Sequence, residues 1–213
     1  MNRFKLHSIV LFVGLLLAFV CPGVAQDENV RGAVKTSDGL LIVWNQPDNN
    51  FSIRAKGVRL ERVPNQNMAF LFDDKFLQVV AALKADFLTN DQKTQSLDEV
   101  AVLNTHRDWE SKFLSEKLGK KLDVQSEQIK LSDGKSALIW SFVPPHDAGS
   151  VKKQFFLTVV HREAVVFLNG AATATASEQT VRRFLLETIG TLRSSNKPLS
   201  QSEAVKLASE KIN

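Results

Sequence analysis

The sequence predicts an α+β fold, in which a central antiparallel sheet of about six strands lies between helices as an α/β/α sandwich. The first observation is that the strand expected over 154–161 is apolar on both of its alternating sides, as in a sheet covered on both faces. Its two apolar sets are Phe155, Leu157 and Val159 on one side and Phe156 and Val160 on the other. The second observation is a regular helical stripe after Ser177, which supplies one of the covers. The stripe consists of Val181, Phe184, Leu185, Thr188, Ile189 and Leu192.

Short β-rich runs that end at turn residues predict the other strands. These runs are 40–44, 51–55, 68–72, 124–131, 137–143 and 164–168. Asp133 and Gly134 form the turn of a hairpin between two of them. The segment 76–88 fits a buried strand and a short helix equally well, because its apolar residues satisfy both periods.

Two capping boxes predict further helices. Ser96 and Glu99 have the spacing of an N-cap residue and its N3 partner, which predicts a long helix over 97–118, and a helix broken near Asn104 is the alternative. A second box at 200–203 predicts a loosely attached helix in a C-terminal helical tail over 196–213.

The first residues have the pattern of a Sec-type signal peptide over 1–25, with basic residues, an apolar run and then small residues. The apolar run is well short of the roughly 20 residues that a spanning helix needs, so no stable membrane anchor is expected. The sequence therefore predicts export through the Sec pathway to the periplasm or the exterior. A lipoprotein acylated at Cys21 is the alternative.

The remaining chain is expected to consist of a flexible lead-in over 26–38, a single α/β domain over 39–195 and the helical tail. The whole sequence has 27 Lys and Arg against 23 Asp and Glu, and two of the basic residues leave with the signal peptide. Because the resulting chain is near neutral, no nucleic-acid partner is predicted. Its only cysteine also leaves, which excludes disulfides and thiolate chemistry.

No motif for catalysis or for a cofactor is present. The sequence has no nucleophile elbow, no glycine-rich dinucleotide loop and no pair of histidines with zinc-ligand spacing on one helix. No cofactor, metal or catalytic residue is therefore predicted. His106 is expected near the helix surface, and His161 is expected to be a solvated residue at the end of a strand.

The best candidate for a recognition surface is Trp109, with Asp108 and Glu110 on either side of it. A core-facing Trp109 ring is the alternative interpretation. Asp73 and Asp74 join Asp108 and Glu110 as candidates for acid–base work by paired carboxylates, and caps or solvated faces are the other interpretation of all four.

The order of these elements resembles the superfamily of the photosystem II extrinsic protein PsbP, which includes the Ran-binding nucleotide-release factor and DcrB-type periplasmic proteins. The resemblance covers about 40–195. It rests on the leading strand at 51–53, the helix opened at 96–99, the run 134–137 at the start of a strand, the hairpin 154–168 and the closing helix with 189–194. It implies a central antiparallel sheet between helices and a non-enzymatic role in binding or assembling other proteins, and it transfers no site residue.

The leading functional prediction is an exported, non-enzymatic accessory domain that binds an unknown protein partner. The first alternative is a hydrolase-type enzyme that uses scattered carboxylates. The second is a carrier that holds an apolar ligand between the sheet and a helix, near Phe155 or Phe184.

Overall fold

The computed structural model describes residues 31–95, 97–145 and 150–210, which form strands in two antiparallel sheets and five helices. The strands are β1 (Arg31–Lys35), β2 (Gly39–Trp44), β3 (Asn50–Lys56), β4 (Leu60–Arg62), β5 (Ala69–Phe72), β6 (Lys75–Leu83), β7 (Gln125–Lys130), β8 (Ser136–Phe142), β9 (Lys153–His161), β10 (Ala164–Ala172) and β11 (Arg193–Ser195). The helices are α1 (Lys84–Phe87), α2 (Asn90–Thr94), α3 (Glu99–Lys117), α4 (Glu178–Ile189) and α5 (Gln201–Ser209).

The large sheet has seven strands in the order β4-β5-β6-β10-β9-β8-β7, and the small sheet has four in the order β1-β2-β3-β11. All of their pairings are antiparallel. The predicted α+β class with a central antiparallel sheet flanked by helices is thereby confirmed. The small sheet was not predicted as a separate layer.

One side of the large sheet, which we call the closed face, packs against the small sheet and α4. Its core includes Phe155, Leu157 and Val159 from β9 together with Phe51 of the small sheet and Phe184 of α4. Helix α4 lies directly on β10 at Gly170, where a Cβ atom would come within 2.9 Å of a methyl group of Val181. A side chain at that position would therefore hold the helix away from the strand.

The other side of the large sheet, which we call the open face, packs against α3 and α1. Its buried members include Trp140 and Phe156, whose rings stack with centroids 3.9 Å apart, and Phe167. The two alternating sets of β9 therefore serve two different cores, as the sequence predicted.

Several local predictions are corrected by the structure. Strand β1 occupies part of the expected lead-in, because Arg31–Lys35 pairs with β2 along its whole length. The segment 76–88 is both strand and helix, since β6 passes directly into α1. Helix α3 begins after Asp98, whose carboxylate accepts a hydrogen bond from the Ala101 amide at 2.7 Å. Ser96, the expected cap, lies outside the described residues.

The tail helix is also more firmly attached than expected. Ala204 and Ala208 of α5 are buried against Leu41 and Val43 of the small sheet. The side chain of Asn45 hydrogen-bonds both backbone groups of Leu199, at 2.9 and 3.0 Å. Helix α5 therefore covers the outer side of the small sheet.

None of the helices in the described ranges is long and apolar enough to cross a membrane. The predicted signal peptide over 1–25, which includes Cys21, lies outside those ranges.

Candidate functional site

A pocket of about 400 Å³ lies between α3 and the open face of the large sheet, and we call it the α3 pocket. Helix α3 contributes Trp109, Glu110 and Phe113, and α1 contributes Asp86. The strands contribute the floor, which consists of Gln78, Val80, Ala81, Ala82, Phe156, Phe167 and Asn169. Its size and its mixture of aromatic and polar walls are those of a small-molecule or side-chain binding site.

The sequence of α3 explains why this pocket exists. The buried face of the helix follows a helical spacing, and its members are Val102, Leu103, His106, Glu110 and Leu114. Two of these five positions carry titratable groups, so the middle of the helix packs less apolar surface on the sheet than its ends do. The pocket is lined by one of these two residues, Glu110.

Glu110 is the most unusual residue of the pocket. It is only 7% exposed, and its carboxylate has no hydrogen bond or ion pair among the described residues. Burial raises the pKa of Glu110 to about 7, because removal from water penalises the charged form. Near neutral pH this carboxyl therefore exchanges a proton readily, and it faces a cavity.

Trp109 lies at the rim of the same pocket. The side chain is 39% exposed, and its ring lies 6.1 Å from the Phe87 ring and 5.9 Å from the His106 ring. The structure thus shows an aromatic ring that is packed on one side and open on the other. Asp108 points elsewhere: its carboxylate is exposed and pairs with Arg107 at 2.8 Å. Of the three residues singled out from the sequence, only Trp109 and Glu110 come together.

His106 was expected near the helix surface, and the structure places it in the interior instead. It is fully buried, and both ring nitrogens lack a hydrogen-bond partner among the described residues. The imidazole packs against Phe87 and Phe167, with ring centroids 5.2 and 5.1 Å away. Burial lowers the pKa of His106 to about 3, so the ring is neutral under ordinary conditions.

A ladder of buried amides crosses three strands at the floor of the pocket. The Gln154 side chain donates to Asn169 Oδ1 and to the Gly170 carbonyl oxygen, the latter at 2.9 Å. Asn169 donates in turn to Gln78 Oε1 at 3.4 Å, and Gln78 donates to the Asn67 carbonyl oxygen at 3.3 Å. The ladder satisfies the side-chain oxygens of Asn169 and Gln78, and it gives Glu110 no hydrogen bond.

The sequence analysis missed Gln78, Asn169 and Asp86. A signal for the first two was present, because each interrupts a strand that is otherwise apolar on both sides. A buried polar residue in such a strand needs a partner on a neighbouring strand, and Asn169 and Gln78 are directly paired in the register. Asp86 carried no comparable signal, since it depends on the turn from β6 into α1.

The carboxylates proposed for paired acid–base chemistry are not assembled in one site. Asp73 accepts a hydrogen bond from the Arg59 amide at 2.9 Å and pairs with Lys75 at 3.3 Å. These contacts, first of all the one with the Arg59 amide, lower the pKa of Asp73. Asp74 pairs with Arg59 at 3.6 Å on the surface. Both belong to the turn between β5 and β6, whereas Glu110 lies in the α3 pocket. Among the described residues, no group of three potential metal ligands occurs.

His161 is buried rather than solvated, and it joins the two sheets on the closed face. Its Nδ1 lies 2.6 Å from Asn49 Oδ1, and its Nε2 lies 2.8 Å from Ser194 Oγ. Because the Asn49 oxygen only accepts, Nδ1 carries the proton and Ser194 donates to Nε2. Burial, with Arg162 and Lys135 nearby, lowers the pKa of His161 to about 4. Ser194 lies on β11, outside the α3 pocket, and we interpret this array as a packing bridge.

The aromatic residues around which an apolar ligand was expected fill a core instead. Phe155 and Phe184 are 2% and 5% exposed in the closed-face core, and the Phe184 ring lies 5.6 Å from the Phe72 ring. The α3 pocket lies on the opposite face of the large sheet, away from both rings.

Comparison with known proteins gives a likeness in structure but none in sequence. No protein-family model matches the chain, and no curated protein matches it. Among solved structures, the solution structure of cyanobacterial PsbP (CyanoP) from Synechocystis sp. PCC 6803 is similar at 12% identity, with 84% of this chain and 99% of that chain covered and a TM-score of 0.42. It carries the name of the family that the sequence resembles. A likeness of this degree carries no argument about function, and the proposals below rest on the geometry of this chain.

Proposed function

We propose that this chain is an exported, non-catalytic binding domain and that the α3 pocket is its binding site. One observation carries the proposal: the pocket combines a half-exposed Trp109 with a buried Glu110 that has no partner in the described part of the chain. A ligand that donates a hydrogen bond to this carboxylate would gain a charge-assisted contact, worth about 1.5–3 kcal/mol. Aromatic rims of this kind are enriched where proteins bind their partners.

A binding experiment on the three tryptophans tests the site directly. The indole N–H signals of Trp44, Trp109 and Trp140 give three peaks in a nitrogen-15 spectrum, and a Trp109→Phe variant assigns the relevant one. We expect some member of a panel of neutral, cationic and anionic aromatic fragments to shift the Trp109 peak. Trp44 and Trp140 are buried outside the pocket and serve as internal controls. If no fragment of any charge shifts the Trp109 peak, the proposed site is wrong.

The predicted protein partner and the export remain part of this proposal. A protein partner that contacts the rim should be captured from the native secretome by the unmodified chain and lost with Trp109→Ala, but kept with the exposed control Asp108→Asn. Mass spectrometry of the native protein should find an N-terminus at Gln26. A diacylated Cys21 would contradict free release.

Acid–base catalysis by Glu110 is the second candidate function. It is favoured by the raised pKa of about 7 on a carboxyl that faces a pocket, which is the property of many general acids and bases. Turnover of a hydrolase substrate panel that disappears in Glu110→Gln would establish it and displace the non-catalytic proposal.

A further inference from the structure

The charges around the α3 pocket are all of one sign. Glu110 and Asp86 line it, and no Lys, Arg or His is among the described residues that do so. The other polar walls are the amides of Gln78 and Asn169, whose side-chain oxygens already accept hydrogen bonds within the ladder. An anionic ligand would meet two carboxyls and no counter-charge, so the pocket disfavours it.

The geometry points to an organic cation on a short apolar stem as the ligand of the α3 pocket. This inference rests on the proposed function and names the chemistry of that same site. An ammonium group beside Glu110 would supply the ion pair that the buried carboxylate lacks. The open side of the Trp109 ring offers a second favourable contact, because tryptophan is the best side chain for cation–π attraction.

The shape of the pocket sets the size of the stem. Beyond the two carboxyls its walls are Val80, Ala82, Phe113, Phe156 and Phe167, which accept a phenyl ring or a short alkyl chain. A volume of about 400 Å³ is at the small end of ligand pockets, so it suits a monoamine or a single lysine side chain rather than a large amphiphile. These two sources share one recognition chemistry.

Glu110 makes the expected binding dependent on pH. The titratable groups near it are Asp86 on α1 and His106 on its own helix, whereas the strands at the floor contribute only apolar and amide side chains. His106 is neutral, with a pKa of about 3, so it does not compete for the carboxylate. A cation binds the ionised form of Glu110 and therefore releases a proton on binding below about pH 7.

The test compares four probes on the full chain without its signal peptide, with the Trp109 indole peak as readout. Phenethylamine is the cation, 2-phenylethanol its neutral isostere and 3-phenylpropionate the anion. Nα-acetyl-lysine methylamide represents a protein side chain. We expect one of the two cations to bind about tenfold tighter than the neutral isostere at pH 8. That preference should fall about tenfold towards pH 6, because Glu110 becomes protonated while the amines stay charged.

Two variants compare the effect of removing the Glu110 carboxyl with that of removing an exposed carboxyl. Glu110→Gln should reduce the preference for the cation to less than about twofold, whereas Asp108→Asn removes one exposed carboxyl on the same helix and should leave it unchanged. The pH profile of the unmodified chain gives the same information if Glu110→Gln folds poorly.

The outcomes are distinct from those of the proposed function. Binding that is equal for cation and neutral isostere, or stronger for the anion, overturns the cation and leaves the binding site standing. Binding by phenethylamine alone identifies a free amine, and binding by the lysine derivative alone identifies a protein side chain. If no probe shifts the Trp109 peak, both the cation and the pocket are wrong.

Discussion

The two faces of the large sheet are built from the same strands but differ in what covers them. The closed face packs against α4 and the small sheet, and its core is a continuous apolar cluster with His161 as a hydrogen-bonded bridge at its edge. The open face packs against α3, which buries His106 without a hydrogen-bond partner in the described chain and places Glu110 at the α3 pocket. One face is therefore filled by apolar side chains, whereas the other contains a pocket that is lined by carboxyl groups.

Strands that are apolar on both sides do not determine on which face of the sheet a cavity forms. The helix that packs on each face determines it. Helix α4 carries no titratable group at its core positions, which are apolar except for the small Thr188, so it approaches β10 as closely as Gly170 allows. Helix α3 interrupts that repeat twice, which costs stability and leaves room for a ligand.

Truncation of one phenylalanine on each face should give the largest contrast. Phe155→Ala is expected to lower the free energy of unfolding by about 3–5 kcal/mol, because it leaves a cavity in a filled core. Phe113→Ala removes a partly exposed ring from the wall of an existing pocket and should cost about 1 kcal/mol. Urea denaturation of both variants measures the difference. Equal losses would mean that the open face is as tightly packed as the closed one.

Glu110 should make the open face the more pH-sensitive one at neutral pH. Its pKa rises from 4.5 to about 7 on folding, so the folded chain binds the extra proton between these values. The contribution of Glu110 to the free energy of unfolding is therefore fully present below pH 4.5. It is lost as the pH rises through 7, and the total loss is about 3 kcal/mol.

Glu110→Gln removes this loss, and the comparison of its urea stability with the unmodified chain at pH 5 and pH 8 measures it. Asp108→Asn is the matched control, because that carboxylate is exposed. A pH dependence that is identical in Glu110→Gln and the unmodified chain would show that the carboxyl is solvated.

The two buried histidines should respond oppositely to the same substitution. His161→Leu breaks both hydrogen bonds of the bridge and is expected to destabilise the chain by about 2 kcal/mol. His106→Leu removes two unsatisfied nitrogens from an apolar site and should leave stability unchanged or raise it by about 1 kcal/mol. Thermal and urea unfolding at pH 7.5 check both, and destabilisation by His106→Leu would point to a polar partner.

Acid should act through the same histidines. Their pKa values are lowered from 6.5 to about 4 for His161 and about 3 for His106, so the folded chain keeps both rings neutral while the unfolded chain takes up protons. The two neutral rings therefore contribute fully to the free energy of unfolding above pH 6.5. This contribution is lost as the pH falls from 6.5 through the two lowered pKa values. His161→Leu should flatten the decline between pH 6.5 and 4, and an unchanged slope would contradict it.

The smallest contrast concerns the helix caps. Asp98→Ala removes the cap of α3, and Ser177→Ala removes the cap of α4, whose hydroxyl accepts from the Thr180 amide at 3.2 Å. Each should cost about 1 kcal/mol. We expect Asp98→Ala to be the larger of the two, because α3 has less apolar packing to hold it. Circular dichroism during urea unfolding measures both losses.

The sequence predicted much of the large sheet because its signals are local. The alternating residues of β9 and the stripe of α4 depend on spacing alone, and both appear as expected. Strands β1 and β11 carried no such signal. Both are short and partly exposed. Strand β1 exists because the adjacent β2 offers it backbone partners, and β11 exists because β3, from a distant part of the chain, does so.

The candidate site was predicted only in part for a similar reason. Trp109 and Glu110 are neighbours in sequence, and the helix places both at the pocket while it turns Asp108 towards solvent. The burial of Glu110 depends on the opposing strands, so its raised pKa has no signature in the sequence. The amide ladder likewise depends on the register between β6, β10 and β9.

The two faces of the large sheet can be covered at different times during synthesis of the chain. The buried members of the open-face cluster lie between Ala82 and Phe167, whereas those of the closed-face cluster extend from Leu40 to Ile189. As the polypeptide emerges from its N-terminus, α3 is available to the sheet before α4 exists. Pulse-labelled hydrogen exchange should therefore find α3 and β8 protected earlier than β3. Until α4 arrives, the part of the closed face that it covers around Gly170 is bare, and this is the stage at which a chaperone would bind the chain.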